Sequence, residues 1–252
     1  MWRQDSTENL LNGACGTDDR LAEWFVPSFG SVRFRCGVGM LFLPYTGMVL
    51  SFSIIGSVLA PHVFWDRIVA VVIVYILGLG IAAHSLDALG SKISKPWGEV
   101  FSKGQLWTLA ISALVSAYCI LIYYMVLFVP RLWVVAVLEG FFVFAYNLEW
   151  FSGKFHKDGW FAFSWGSLPV VMGFMMQTNR ISLEMLMLAV SMGILSLAEI
   201  KTSRPYKQLK RRRNCSEPQE KSLIRTYEII LKCLSFGVIS LGVGLLIWRL
   251  RT

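Results

Sequence analysis

The stretch RIVAVVIVYILGLGIAAHSLDALGSK (67–92) decides how this chain is read. From Ile68 to Ala83 it carries no charge; then His84, Asp87 and Lys92 arrive within nine positions. About 20 consecutive apolar residues cross ~30 Å of hydrocarbon as a helix. The run is therefore expected to span a membrane, and its polar tail to mark where water begins.

Working outward, comparable segments lie at roughly 36–60, 106–129, 131–149, 158–178, 182–199 and 226–248, so that seven spans are expected. Pro130 alone separates the third span from the fourth, which predicts a tight hairpin. Of the 252 residues 55% are apolar and only 16% charged, against about a quarter charged in a soluble domain. The fold class is an all-α, polytopic membrane bundle. A polar cytoplasmic segment, 1–31, is expected to precede a transmembrane helical domain, 32–252, that carries a basic cytoplasmic loop at 200–225. No signal peptide is expected. Trp65, Trp97, Trp107, Trp133, Trp150, Trp160 and Trp248 fall near segment ends, the interfacial depth that amphipathic rings prefer.

The net charge of +8 is concentrated in a few connections without interleaved aromatics, which excludes nucleic acid as the reading and favours anionic lipid. With seven spans, eighteen Lys/Arg fall on the side of the N-terminus and five (Arg67, Arg131, Arg180, Arg249, Arg251) on the other. The positive-inside rule then places the N-terminus in the cytoplasm and the C-terminus outside. The five cysteines show no metal-type spacing and read as small buried hydrophobes.

The polar groups share the cytoplasmic side. His84 and Asp87 are three apart, on one helix face, with Ser91 continuing the stripe. Asn147 and Glu149 end the fourth segment, His156 and Asp158 open the fifth, and Glu199 ends the sixth. Carboxylates and imidazoles at one mouth suit divalent metal or proton transfer; capping of helix ends is the plainer alternative. An acid at a helix C-terminus opposes the macrodipole, so an idle Asp87 would be slightly costly. Glu139 lies about 12 Å inside the membrane at ~1.5 Å per residue after Arg131. It faces either a cavity shared with Tyr146 or a hydrogen-bonding partner on another helix. Glu228 and Lys232 form an i,i+4 pair. KTSRPYKQLKRRRN (201–214) reads either as a topology signal binding lipid headgroups or as a clamp for a diphosphate.

These features together resemble the UbiA-type intramembrane prenyltransferases. That family's first signature, Asn-x-x-x-Asp-x-x-x-Asp, follows the second helix; AHSLDALGS (83–91) is similar, with Asp87 at the middle aspartate, Ala83 at the asparagine and Ser91 at the last aspartate. AYNLEWFSGKFHKDGW (145–160) resembles the family's Tyr-to-Lys segment through Tyr146 and Lys154. WGSLPVVMGF (165–174) and the opening VRFRCGVGMLFLPYTGMVLSFSIIGSVLAP (32–61) are similar to its fifth and first helices. The second Asp cluster is replaced by AEIKTSRPYKQLKRR (198–212), basic apart from Glu199, and seven spans stand where nine are usual.

The resemblance implies prenyl transfer from a polyprenyl diphosphate to a lipophilic or aromatic acceptor. Asp87, His84, Tyr146 and Asn147 would be the catalytic set, and Lys154, Arg204, Lys207 and Glu149 would bind substrate. Asp87, Glu199, His156 and Asp158 would hold Mg²⁺. The expected partners are the isoprenoid diphosphate and membrane lipid; the residues name no partner protein. A non-catalytic prenyl-lipid binder or scaffold is the alternative, favoured by the missing carboxylates at Ala83 and Ser91. A transporter would carry inverted repeats with broken helices in both halves, and the sequence shows neither.

Overall fold

A computed structural model describes residue 21 and residues 23–90, 100–211 and 218–252. No strand occurs among them. The helices are α1 (Val32–Met40), α2 (Leu43–Val58), α3 (Trp65–Gly90), α4 (Lys103–Leu127), α5 (Trp133–Asn147), α6 (Asp158–Thr178), α7 (Leu183–Arg211) and α8 (Pro218–Arg251). Six stretches are long and apolar enough to cross a membrane: α1 with α2, then α3, α4, α6, α7 and α8. Their outer faces stay apolar. Val69, Val115, Val126, Val137 and Ile194 are each more than half exposed, which is tolerable only against lipid. The chain is an integral membrane helical bundle.

Local chemistry sets the boundaries. Ser31 starts α1 by accepting the Phe34 N–H on its hydroxyl at 3.3 Å. Ser102 and Gln105 form a reciprocal capping box at the start of α4. The expected hairpin is present: α4 stops at Leu127, Pro130–Leu132 make one 3₁₀ turn, and α5 begins at Trp133. α5 has only 15 residues, about 22 Å of helix.

Two expectations need correction, and one alternative is decided. The first span is two helices, broken at Phe42, whose φ is +44°. Pro44 brings no N–H to the first turn of α2, and Thr46 Oγ1 donates to the Leu41 carbonyl at 2.7 Å, satisfying a group the break exposes. The supposed basic loop at 200–225 is mostly helix, because α7 continues through Pro205 to Arg211 and α8 resumes at Pro218. Lys, Arg, Gln and Leu are good helix formers, and Tyr206 is fully buried against the bundle, which outweighs one proline. Of its two expected surroundings, Glu139 has the hydrogen-bonding partner on another helix. It accepts a 2.7 Å hydrogen bond from the Tyr75 hydroxyl, which ties α5 to α3.

Small residues set the closest crossing, α2 against α6. A Cβ on Gly56 would strike the Val170 carbonyl, and one on Gly173 the Ser53 carbonyl. Ser57 Oγ donates to Gly173 O at 3.1 Å across the same contact. The core forms two clusters. One is built mainly by α3, α4, α5 and α6; the other by residues 21–26 with α1, α2, α7 and α8. At the end of the bundle away from His84, Arg67 donates to the carbonyls of Met176 and Gln177, and Arg249 to those of Ala60 and Pro61. These arginines close helix ends, the role that water serves elsewhere.

Candidate functional site

A cavity of about 310 Å³ lies where the two core clusters meet, at the end of the bundle that carries the basic part of α7. Five helices, α2, α3, α5, α6 and α7, supply its wall. Four backbone irregularities place residues there. The left-handed Phe42 turns its ring into the wall. A π-helical stretch, Ile76–Ala83, widens α3 just before His84 and contributes Leu79 and Ala83. A second, Ala162–Ser167, contributes Trp165 from α6. π-bulges recur at functional sites because each re-aims the residues that follow. The fourth is a turn after α5 in which Glu149, Phe151 and Ser152 all have positive φ.

His84, Asp87, Tyr146, Asn147, His156, Glu199, Arg204 and Lys207 all line this one cavity. The same-face reading of His84 and Asp87 therefore holds. Ser91 lies outside the described residues, as do Trp97, Cys15 and Cys215. Lys154 and Glu149 are not on the cavity wall; Glu149 begins the left-handed turn that follows α5. Asp158 is not on the wall either. Its carboxylate is held by Lys201 Nζ at 2.8 Å and Arg204 Nη1 at 2.9 Å, so it acts as an anchor for α7.

Both imidazoles are oriented by backbone. His84 Nδ1 donates to the Gly80 carbonyl at 3.2 Å, and its ring packs 4.7 Å from that of Phe42. His156 Nδ1 donates to the Tyr146 carbonyl at 3.0 Å, and its ring lies 4.5 Å from the Tyr146 ring. In each neutral ring Nε2 is then the lone-pair nitrogen, the form needed in a base or a ligand. Lys207 Nζ sits 5.2 Å over the Phe42 ring and 5.9 Å over that of Tyr45, cation–π distances. Tyr146 lies within the electrostatic reach of Arg204, Asp87 and Glu199 together, which places both cavity carboxylates near one phenol.

The wall thus has two characters. His84, Asp87, Glu199, Arg204, Lys207 and Gln208 give polar and charged surface; Phe42, Val49, Leu79, Phe161 and Trp165 give apolar and aromatic surface. The described residues gather no three His, Cys, Asp or Glu side chains close enough to hold a metal by themselves. Mg²⁺ is commonly held by one or two carboxylates together with substrate phosphates; the cavity wall carries two carboxylates, Asp87 and Glu199. Phe42, Tyr45, Thr46 and Trp165 were not picked out in the sequence as site residues. Pro44 and the two glycines of ILGLGIAA (76–83) were the available signals, since they mark where regular helix fails. No family model, curated protein or solved structure matches the chain.

Proposed function

We propose that this chain is a membrane-embedded transferase of UbiA type that moves a prenyl group from a polyprenyl diphosphate to a lipophilic or aromatic acceptor. The observation that carries the reading is one cavity that joins Arg204, Lys207, Asp87 and Glu199 on one side to apolar and aromatic side chains on the other. The diphosphate lies against Arg204 and Lys207, and its isoprenoid tail against Phe161, Trp165 and Leu79. Mg²⁺ arriving with the diphosphate would be held by Asp87 and Glu199 and would neutralise negative charge on the leaving group. Arg204, fixed by Asp158, aims its guanidinium fork at phosphate oxygens. As the allylic C–O bond breaks, the electron pair leaves with diphosphate, and the faces of Tyr146 and Trp165 stabilise the cation left behind. The acceptor supplies the pair for the new bond and loses a proton, for which Nε2 of His84 or His156 is the base. In this reading α5 is counted as the seventh span, the N-terminus is cytoplasmic and the C-terminus outside.

A second reading, a prenyl-lipid binder without turnover, is favoured by one observation: Asp158 is committed to Lys201 and Arg204, which leaves Asp87 and Glu199 as the carboxylates of the wall. Titrating the purified protein with a thiolodiphosphate analogue of geranylgeranyl diphosphate, with and without Mg²⁺, separates the two. Transfer predicts micromolar binding that Mg²⁺ tightens at least tenfold, and loss of that gain in Asp87→Ala with the fold retained. Equal binding with and without the metal supports the binder, and no binding at all sinks both.

A further inference from the structure

A second, smaller cavity lies behind the first. α3, α4, α5 and α6 supply its wall, and it shares two residues with the larger one, Leu79 and Trp165. Those two buried side chains are therefore the partition between the cavities. Leu79 belongs to the π-helical stretch of α3 and Trp165 to that of α6, so both departures from regular helix meet at this partition. His84 lines the first cavity and Tyr75 the second; at ~1.5 Å per residue they stand roughly 13 Å apart along α3. The two spaces run in sequence from the charged mouth into the apolar interior.

The second cavity offers a ligand little but hydrocarbon. The Tyr75 hydroxyl is spent on Glu139 Oε1 at 2.7 Å, and the Tyr118 hydroxyl on the Ala136 carbonyl at 2.6 Å. Val74, Leu114, Ala117, Val143 and Met172 keep much of the remaining wall apolar. Its volume is about 40 Å³. A water needs ~10–15 Å³ of comparable space, so this is room for about three waters, or for a single isoprene unit. Gly78, on the same π stretch as Leu79, leaves part of that room: a Cβ there would meet no atom within 4 Å.

We infer that the second cavity receives the far end of the isoprenoid tail, past the Leu79–Trp165 partition, and that its size sets the longest tail the protein accepts. The inference rests on the prenyl diphosphate reading for the identity of the ligand, and adds a length limit to it. The first cavity holds the diphosphate and the nearer part of the chain. The chamber behind the partition takes one terminal unit. Gly78 is then a specificity-determining residue remote from the reacting atoms.

The test titrates the full-length protein, with Mg²⁺, against the thiolodiphosphate analogues of geranyl, farnesyl, geranylgeranyl and geranylfarnesyl diphosphate. Wild type is compared with Gly78→Leu. Leucine at 78 enters free space and is a better helix former than glycine, so the unfolding temperature should not fall. In the wild type one analogue should bind best, and the next longer one about fivefold more weakly or worse, the cost of overpacking. Gly78→Leu should move that break one isoprene unit shorter. A wild type without a break, or a Gly78→Leu protein that keeps the wild-type preference, overturns the inference and leaves the prenyl diphosphate reading standing. A second measurement needs no variant. A diazirine at the far end of the best-bound analogue should cross-link to Leu114, Ala117 or Val143 on irradiation. Cross-links confined to residues outside the second cavity overturn the inference as well. Failure of every analogue to bind the wild type removes the prenyl diphosphate reading, and the length limit with it.

Discussion

Glu139 and Arg204 are each explained by one partner. Tyr75 donates to Glu139 between α3 and α5 in the apolar interior. Replacing Glu139 by Leu leaves the Tyr75 hydroxyl buried and unpaired, at a cost of about 1–3 kcal/mol. For a chain of this length that lowers the unfolding temperature by roughly 2–4 °C per kcal/mol. Adding Tyr75→Phe should recover part of the loss, since removing both partners costs less than orphaning one. Thermal unfolding in detergent, read on both single variants and the double, checks this; simple additivity would refute the pairing argument. Arg204 is aimed by Asp158. Asp158→Asn keeps the volume and removes the charge, so binding of the thiolodiphosphate analogue should weaken about threefold to tenfold. Arg204→Gln should weaken it further. An Asp158→Asn protein that binds as the wild type does would show that Arg204 holds its position without the anchor.

At the scale of elements, the useful features are departures from regular helix. Pro205 sits inside α7 between Arg204 and Lys207 and withholds one N–H from the helix ladder. Pro205→Ala restores that bond and removes the pyrrolidine ring from the turn that presents both cations. The expected outcome is a higher unfolding temperature with analogue binding reduced severalfold; a gain in stability with unchanged affinity would detach the proline from the site. The α2–α6 crossing makes the opposite prediction. Gly173 lies with backbone against its partner helix, so Gly173→Leu forces the two helices apart and should abolish the monodisperse folded peak on size exclusion. The hydrophobic runs showed where the helices lie, yet not the break at Phe42 or the two π stretches. Those depend on which carbonyls find other partners once neighbouring helices close in.

For the whole molecule, the orientation is the open consequence of the seven-span reading. In a background with native cysteines replaced, Lys154→Cys should be protected from a membrane-impermeant maleimide in intact cells, and Thr252→Cys should be labelled. Lys103→Cys is separated from Lys154→Cys by α4 and α5, so opposite labelling of these two positions would remove α5 as a span. The core is divided into two clusters with the cavity between them, and five helices must be in place before that cavity exists. Its assembly therefore depends on contacts distant in sequence. Periodicity along one helix reported that His84 and Asp87 share a face, but it held nothing about Trp165 or Tyr45 meeting them from α6 and α2.

The sequence by itself determined that the chain is a bundle of apolar helices and that its ionisable groups collect at one end. Hydrocarbon admits only internally bonded backbone and few charges, and both constraints are local enough to read along a line. Only the tertiary structure decided which of those groups share a cavity. Asp158 turned out to be spent on Lys201 and Arg204, Glu149 and Lys154 lie off the wall, and Tyr45 was brought in. Helix rotation, bulges and ion pairing between helices fix these outcomes, and each is settled by packing against elements far away in the chain.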